Sequence, residues 1–375
     1  MRIHRLKLQN FRNHQRTEVS FAPRINLITG QNGAGKTNVI DAVHYLCMSR
    51  SFVASSDRYV VHQEESFFMI EGDFSGKVRS SFTVGCSYSR GEGKKVFVNG
   101  SALERMSDLV GMVPVVVLSP EDVQLTAEGP AERRSFLDSL ICQISPAYLR
   151  DLITYQKVRR HRNRLLQEYR GPLATLQSYL EPWNQQLADT GSRIIHKRAE
   201  VLAAFSHYLE LQYRAISGME LRPSLQYQTI TDRHDSPEQI RAVYLDLLEQ
   251  QFEKEAEREQ TLIGPHRDEV VFYLDEMEVR NFGSQGQHRI FSVSLKMAQL
   301  FYYSDQLDDL PILLLDDLFG NLDDEKTRII TETLLKHSGQ TLITSATRLP
   351  LLQELVHNNN ENKLFSVTDG RVSEL

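Results

Sequence analysis

Hydrophobic residues follow a strand-like rhythm at the start of the chain. Ile3, Leu6 and Leu8 stand among basic residues, and Phe11-Arg12-Asn13-His14 then turns the backbone. Residues 17–21 and 24–29 read as two further strands, the second carrying Ile25, Leu27 and Ile28. After a Gly-rich loop, residues 38–48 place Ile40, Val43, Tyr45 and Leu46 as a helix would. Short alternating segments at 67–70, 82–86 and 96–98 are separated by Gly76, the Gly91/Gly93 pair and the Asn99-Gly100 turn. They predict an antiparallel sheet. The continuous apolar run 113–118 predicts a buried strand.

The pattern changes after Pro120. From 131 to about 260 it is mostly helical, with predicted helices at 135–144, 147–169, 173–211 and 237–259. The breakers are Pro146, Gly171-Pro172, Gly218 and Pro223. Strand texture returns at 270–274, followed by a helix at 286–307, a buried strand at 311–315, a helix at 327–337 and a strand at 340–344. The expected architecture is an α/β head built from both chain ends, residues 1–118 and 262–375, with a mainly helical arm inserted at 119–261.

One loop changes this from a fold reading to a chemical one. Gly30-Gln31-Asn32-Gly33-Ala34-Gly35-Lys36-Thr37 matches G-x-x-x-x-G-K-[ST] between a predicted strand and a predicted helix, the context a phosphate-binding loop requires. Glycines let backbone N–H groups converge on phosphate oxygens, and the helix N-terminus favours the anion. Lys36 can reach the β- and γ-phosphates of ATP, and the Thr37 hydroxyl can ligate Mg²⁺. Farther along, the apolar run 312–315 ends in Asp316-Asp317. A carboxylate at a strand tip can hold Mg²⁺, which assigns the metal to Asp316. Its neighbour faces elsewhere and can orient or deprotonate water, which assigns that role to Asp317. An Asp pair alone would more often be a strand cap; the phosphate loop tips the balance. Ser284-Gln285-Gly286-Gln287 opens a long predicted helix and forms an anion-friendly start.

Composition narrows the setting. The chain has 375 residues, 41% hydrophobic and 25% charged, enough for two or three domains at roughly 150 residues each. No apolar run approaches the roughly 18–20 residues of a membrane helix, and the N-terminal stretch lacks a signal-peptide core. Cys47, Cys86 and Cys142 lie far apart, which argues against a disulfide scaffold or zinc site and suits a reducing cytoplasm. Basic residues number 43 and acidic ones 49, for a net charge of −6, so nucleic-acid binding rests on local charge.

That charge is segregated. Residues 150–170 hold Arg150, Lys157, Arg159, Arg160, Arg162, Arg164 and Arg170 against Asp151 and Glu168. On a helix, Lys157, Arg160 and Arg164 share a face and can neutralise DNA phosphates. The alternative is a merely solvated helix face. The first 24 residues are also basic, whereas acids gather at Asp305, Asp308, Asp309, Asp316, Asp317 and 323–325. Trp183, a lone aromatic, is expected to serve packing.

These motifs, in this order, resemble the RecF family of SMC-type ATPases, within the wider ABC class. The matching stretches run almost end to end: Leu8-Gln9-Asn10-Phe11-Arg12-Asn13, the loop 30–37, Ser119-Pro120-Glu121-Asp122, Arg133-Arg134-Ser135-Phe136-Leu137-Asp138, Gly264-Pro265-His266-Arg267-Asp268, 284–287 and 313–317. The resemblance implies an ABC/SMC-type P-loop ATPase head, ATP and Mg²⁺ as cofactors, and an ATP-dependent homodimer. In it, Ser284, Gln285 and Gly286 of one subunit complete the γ-phosphate site of the other. It places Arg12 and Asn13 near the nucleotide. It also implies slow, DNA-stimulated hydrolysis and binding of double-stranded and gapped DNA near single-strand/double-strand junctions. Further implications are work with RecR- and RecO-type mediators to load RecA, and a role in replication, recombinational repair and the SOS response. For Arg133, Arg134, His266 and Arg267 the choice stays open between ligand contacts and structural ion pairs with Asp138 or Asp268. An ABC-type transport subunit and a DNA-binding module with vestigial ATPase are the rival readings.

Three departures from the ABC pattern stand out. Asp317 occupies a position where Glu is usual, Ser345 and Ala346 stand where a switch His is expected, and Phe319-Gly320-Asn321 precedes Asp323 where relatives often carry a Ser-Glu pair.

Overall fold

A computed structural model describes residues 1–234, 236–317, 324–337, 339–346 and 361–375. The 319–323 loop therefore lies outside the described residues. The chain divides into two compact units, one of Met1–Asp122, Ala215–Gly218 and Val293–Leu375, the other of Val123–Arg214 and Met219–Ser292.

In the first unit, β1 (Arg2–Phe11) and β2 (His14–Ser20) form a hairpin, and β3 (Ile25–Thr29) leads through the Gly-rich loop into α1 (Lys36–Met48). β4 (Phe67–Ser75), β5 (Phe82–Ser89), β6 (Gly93–Val98) and β7 (Ser101–Ala102) extend the hairpin into an antiparallel sheet of order β2-β1-β4-β5-β6-β7. β8 (Val115–Leu118) closes the N-terminal part. These elements fall where the pattern predicts them, except that β2 begins at His14, β4 runs on to Ser75 and the pattern gives no sign of β7.

The second unit begins with α2 (Gln124–Ala127), α3 (Pro130–Ile144), α4 (Pro146–Glu168) and α5 (Leu173–Ser217), whose last residues fall in the first unit. Next come β9 (Pro223–Gln228), α6 (Pro237–Gln250), α7 (Phe252–Glu257), β10 (Glu269–Leu274), β11 (Met277–Glu278) and α8 (Val279–Phe282). The helical pattern hid β9. It pairs antiparallel with β10 from Gln228–Glu269 to Pro223–Leu274, and its proline stands first, where no ladder donor is lost. Pairing with β9 is also why residues 269–274 pack in this unit.

α9 (Gln285–Gln306) starts in the second unit and continues in the first. The first unit is completed by β12 (Ile312–Asp316), α10 (Asp324–His337), β13 (Thr341–Ser345), β14 (Lys363–Thr368) and β15 (Arg371–Glu374). The last two were not foreseen. The second sheet has the order β15-β14-β3-β13-β12-β8 and is parallel except for β15. β12 and β13 are buried at every position, as strands covered on both faces must be. α1 lies between the two sheets, against β13 and β12 on one side and β4 and β1 on the other. It is therefore buried on nearly all faces. Phe11, Tyr45 and Phe68 meet edge to face with centroids 5.4–6.2 Å apart, which fastens the antiparallel sheet to the helix that begins at the loop.

Candidate nucleotide site

The loop 30–35 links the end of β3 to the start of α1, and its glycines hold backbone other residues could not. A Cβ on Gly30 (φ 155°) would sit 2.4 Å from the Val367 carbonyl oxygen, and one on Gly35 (φ 111°) would sit 2.6 Å from Asn13 Oδ1. The β1–β2 turn is thus wedged under the loop. Asn13 Nδ2 donates to the Ala34 carbonyl at 3.0 Å, and its Oδ1 accepts from Asn38 Nδ2 at 2.7 Å. His14, fully buried, donates from Nε2 to the Gly35 carbonyl at 3.0 Å. Burial pulls its pKa down, which keeps the ring neutral. Gly370 N–H donates to the Ala34 carbonyl at 3.0 Å. Asn13 is accordingly placed against the loop backbone; His14 was overlooked in the sequence, where a histidine after a turn carries no special signal.

Lys36 curls back beneath this loop, and its Nζ donates to the carbonyls of Gly30 and Gln31 at 2.9 Å each. An ammonium has three protons, so one remains for a phosphate oxygen. Burial lowers its pKa, opposed by the charges of Asp317 and Asp316. β13 lies between β3 and β12, and so Asp316, at the tip of β12, faces the start of α1. Asp316 Oδ1 accepts from the Thr37 hydroxyl at 2.8 Å and from the Thr344 hydroxyl at 2.6 Å. Burial raises the Asp316 pKa, the two hydroxyls oppose this, and Glu121 and Asp317 add to it. A buried carboxylate touching a hydroxyl, with further negative charge nearby, is a hard-oxygen donor set that fits Mg²⁺.

Asp317 turns away, with φ 43°. Its N–H lies 3.1 Å from Thr344 Oγ1, and its Oδ1 accepts from Ala346 N–H at 3.3 Å. In place of a switch His, the Thr344 hydroxyl meets Asp316 and the Ala346 backbone N–H meets Asp317. Thr344 was not singled out in the sequence, since a Thr ending a buried strand looks like β-propensity alone.

Arg12 does not reach the loop through its side chain. Its Nη2 lies 3.4 Å from Asp41 Oδ2 and 3.3 Å from Ser51 Oγ, and its buried Nε has no hydrogen-bond partner. Ser284, Gln285 and Gly286 are exposed in the second unit at the start of α9. There Ser284 N–H donates to Gln287 Oε1 at 2.8 Å and Gln287 N–H donates to Ser284 Oγ at 3.2 Å. This reciprocal cap fixes a helix start that is exposed.

The second unit decides the role of most family-motif arginines. Arg133 pairs with Glu269 at 2.8 and 2.9 Å, so its partner is neither Asp138 nor Asp268. Those two carboxylates flank Arg198, 2.8 Å from Asp138 and 3.0 Å from Asp268. Arg134 donates to the Asp268 carbonyl at 2.7 Å. Arg162, within the basic run, is fully buried against Glu255 at 2.5 Å. Lys157 and Arg160 are exposed, while Arg164 pairs with Glu168 at 2.9 Å on the surface. Trp183 stacks on His161 with centroids 5.2 Å apart.

This fold and site define an ABC/SMC-type P-loop ATPase. Residues 2–370 match the family model described as RecF/RecN/SMC N terminal domain. A DNA replication and repair protein RecF from Salinibacter ruber is 46% identical over 375 residues, covering 99% of this chain and 91% of the relative. The one from Chloroherpeton thalassium is 37% identical, covering 93% and 95%. A structure of the recombination mediator RecF with ATP superposes with a TM-score of 0.90 at 28% identity, covering all of this chain and 97% of the other. An SMC head bound to a ScpA domain shares the fold, with a TM-score of 0.56 at 14% identity over all of this chain and 98% of the other. The chain belongs to the RecF family, and it is an ATPase. Among the described residues, no helix is long and apolar enough to cross a membrane.

Proposed function

We propose that this chain is an ATP-gated, DNA-binding homodimer that acts in DNA replication and recombinational repair in the cytoplasm. The observation that carries this reading is the 2.8 Å contact between Thr37 and Asp316 beside the glycine loop, in a chain whose relatives are replication and repair proteins. The loop 30–37 cradles the ATP phosphates, Asn13 braces it, and Lys36 donates to the γ-phosphate. Thr37 and Asp316 would hold Mg²⁺, which would neutralise charge developing on the phosphates. Asp317 orients the attacking water and accepts its proton. Ser284, with Gln285 and Gly286, comes from the second copy, as its exposed helix start permits. Arg12 contributes to nucleotide response through α1, where it contacts Asp41. The head comprises residues 1–118 and 262–375 by function, the arm 119–261.

Hydrolysis is slow, because the shorter Asp317 holds water less closely than Glu, and DNA stimulates it. Lys157, Arg160 and Arg164 contact duplex phosphates. The assembled dimer recognises gapped DNA near strand junctions and hands it to RecR- and RecO-type partners for recombinase loading, within the response to DNA damage. A labelled gapped duplex titrated with and without ATP and Mg²⁺ across a salt series tests this. Binding that needs ATP and weakens steeply with salt supports it. Equal binding without nucleotide, or none at all, contradicts it.

A further inference from the structure

Three arginines of the second unit converge on one turn without an ion pair of their own among the described residues. Arg134 comes from α3, Arg159 from α4, and Arg267 from the turn 264–268. Tyr155 lies one helical turn before Arg159, on the same face of α4. Its hydroxyl is 2.6 Å from His266 Nδ1, which brings Arg159 over the residue next to Arg267. The turn is fixed from several sides. His266 Nε2 donates to the Thr261 carbonyl at 3.1 Å, Arg267 N–H donates to the Gly264 carbonyl at 2.8 Å, and Arg134 donates to the Asp268 carbonyl at 2.7 Å. Even a Cβ on Gly264 would collide with the Tyr244 hydroxyl at 1.8 Å.

Glu269, Asp268 and Asp138 act on Arg134, but each is ion-paired to another arginine. Glu269 is held by Arg133, while Asp138 and Asp268 are held by Arg198. Five arginines thus face three carboxylates, and Arg134, Arg159 and Arg267 form no ion pair among the described residues. The His266 pKa is pushed down to about 3, first by burial, then by Arg159, with Arg267 and Arg134 adding to it. All three cations are therefore felt at one point, and the ring adds no charge of its own. Arg267 is exposed and Arg159 and Arg134 are half-buried. Gathering like charges on a rigid turn costs free energy that an anion would recover.

We infer that Arg134, Arg159 and Arg267 form a phosphate-binding cluster for the backbone of duplex DNA, an inference that rests on the DNA-binding reading above. The guanidinium fork matches phosphate oxygens, and contacts of this kind set position without reading sequence. A polymer suits the site better than a single phosphate, because exposed Arg160 and Lys157 carry positive charge onward along α4. The cluster is a second group of contacts beside that face, built by tertiary convergence rather than by helical spacing.

The test uses the full chain with ATP and Mg²⁺ and a fluorescein-labelled blunt duplex, followed by anisotropy across a salt series. The double variant Arg159→Gln/Arg267→Gln is expected to bind roughly tenfold or more weakly, with a log–log salt slope about two smaller, since each phosphate contact contributes about 0.9. Arg159→Lys/Arg267→Lys, which keeps the charges, should recover most of the slope. Far-ultraviolet circular dichroism and melting temperature establish that the variants are folded. If the double variant is not, Arg267→Gln, altering an exposed side chain, should still reduce the slope by about one. A parent chain that binds duplex together with folded glutamine variants of unchanged affinity and slope overturns the cluster alone. A parent chain that binds no duplex overturns the DNA reading and the cluster with it.

Discussion

Replacing Lys36 with arginine is expected to leave ATP binding within a few-fold of the parent chain and to cut hydrolysis by about 10²–10³-fold. The expectation follows from the seat of the side chain. Lys36 is nearly fully buried, and its ammonium sits between two loop carbonyls at 2.9 Å. A planar guanidinium cannot take that place as a point donor; it is wider and its N–H directions are fixed. Loop N–H groups and the α1 N-terminus still hold the phosphates, which preserves binding. Stabilisation of charge developing on the γ-phosphate is lost, and a single such donor is worth about 3–4 kcal/mol. Fluorescent-nucleotide titration and phosphate release under single-turnover conditions separate the two effects. Turnover within a few-fold of the parent chain would remove Lys36 from the role assigned to it.

Arg198→Met should destabilise the second unit by about 3–5 kcal/mol, the cost of leaving buried charges uncompensated. Arg198 is 2% exposed and its guanidinium joins Asp138, Asp268, the Tyr148 hydroxyl and the Pro265 carbonyl. Tyr227 donates to the same Asp268. Methionine fills much of the volume but leaves Asp268, itself 3% exposed, without its ion-pair partner. Arg164→Ala is the contrast. Its pairing with Glu168 is exposed on both sides, and such pairs contribute under about 0.5 kcal/mol. Thermal unfolding of the two variants side by side checks the difference. A melting temperature for Arg198→Met equal to that of Arg164→Ala would show that the network carries no such weight.

The parts of the molecule legible in its sequence are those whose chemistry and local structure coincide. Residues 30–37 announce themselves because strand, glycine loop and helix lie in one short stretch, and the apolar run before Asp316-Asp317 marks its strand as buried. What stayed hidden depends on partners far along the chain. Nothing near Thr344 shows that its hydroxyl meets Asp316. Nothing near His14 shows that it lies under Gly35. The run 150–170 is the clearest case of a misleading pattern. Its seven basic residues look alike by charge, yet Arg162 is buried on Glu255, Arg164 is paired at the surface, and Arg159 acts on His266, more than a hundred positions later. Strand β9 was masked for a similar reason, since its alternation of Leu225 and Tyr227 acquires meaning only beside β10.

Asp317 offers the most direct test of ATP gating. In Asp317→Asn the side chain keeps its size and can still accept from Ala346 N–H, but it can no longer take a proton from water. Sedimentation velocity of this variant in saturating ATP and Mg²⁺, against the same protein in ADP, reads the assembly directly. A stable dimer in ATP and a monomer in ADP is the expected result. A monomer in both nucleotides would contradict it.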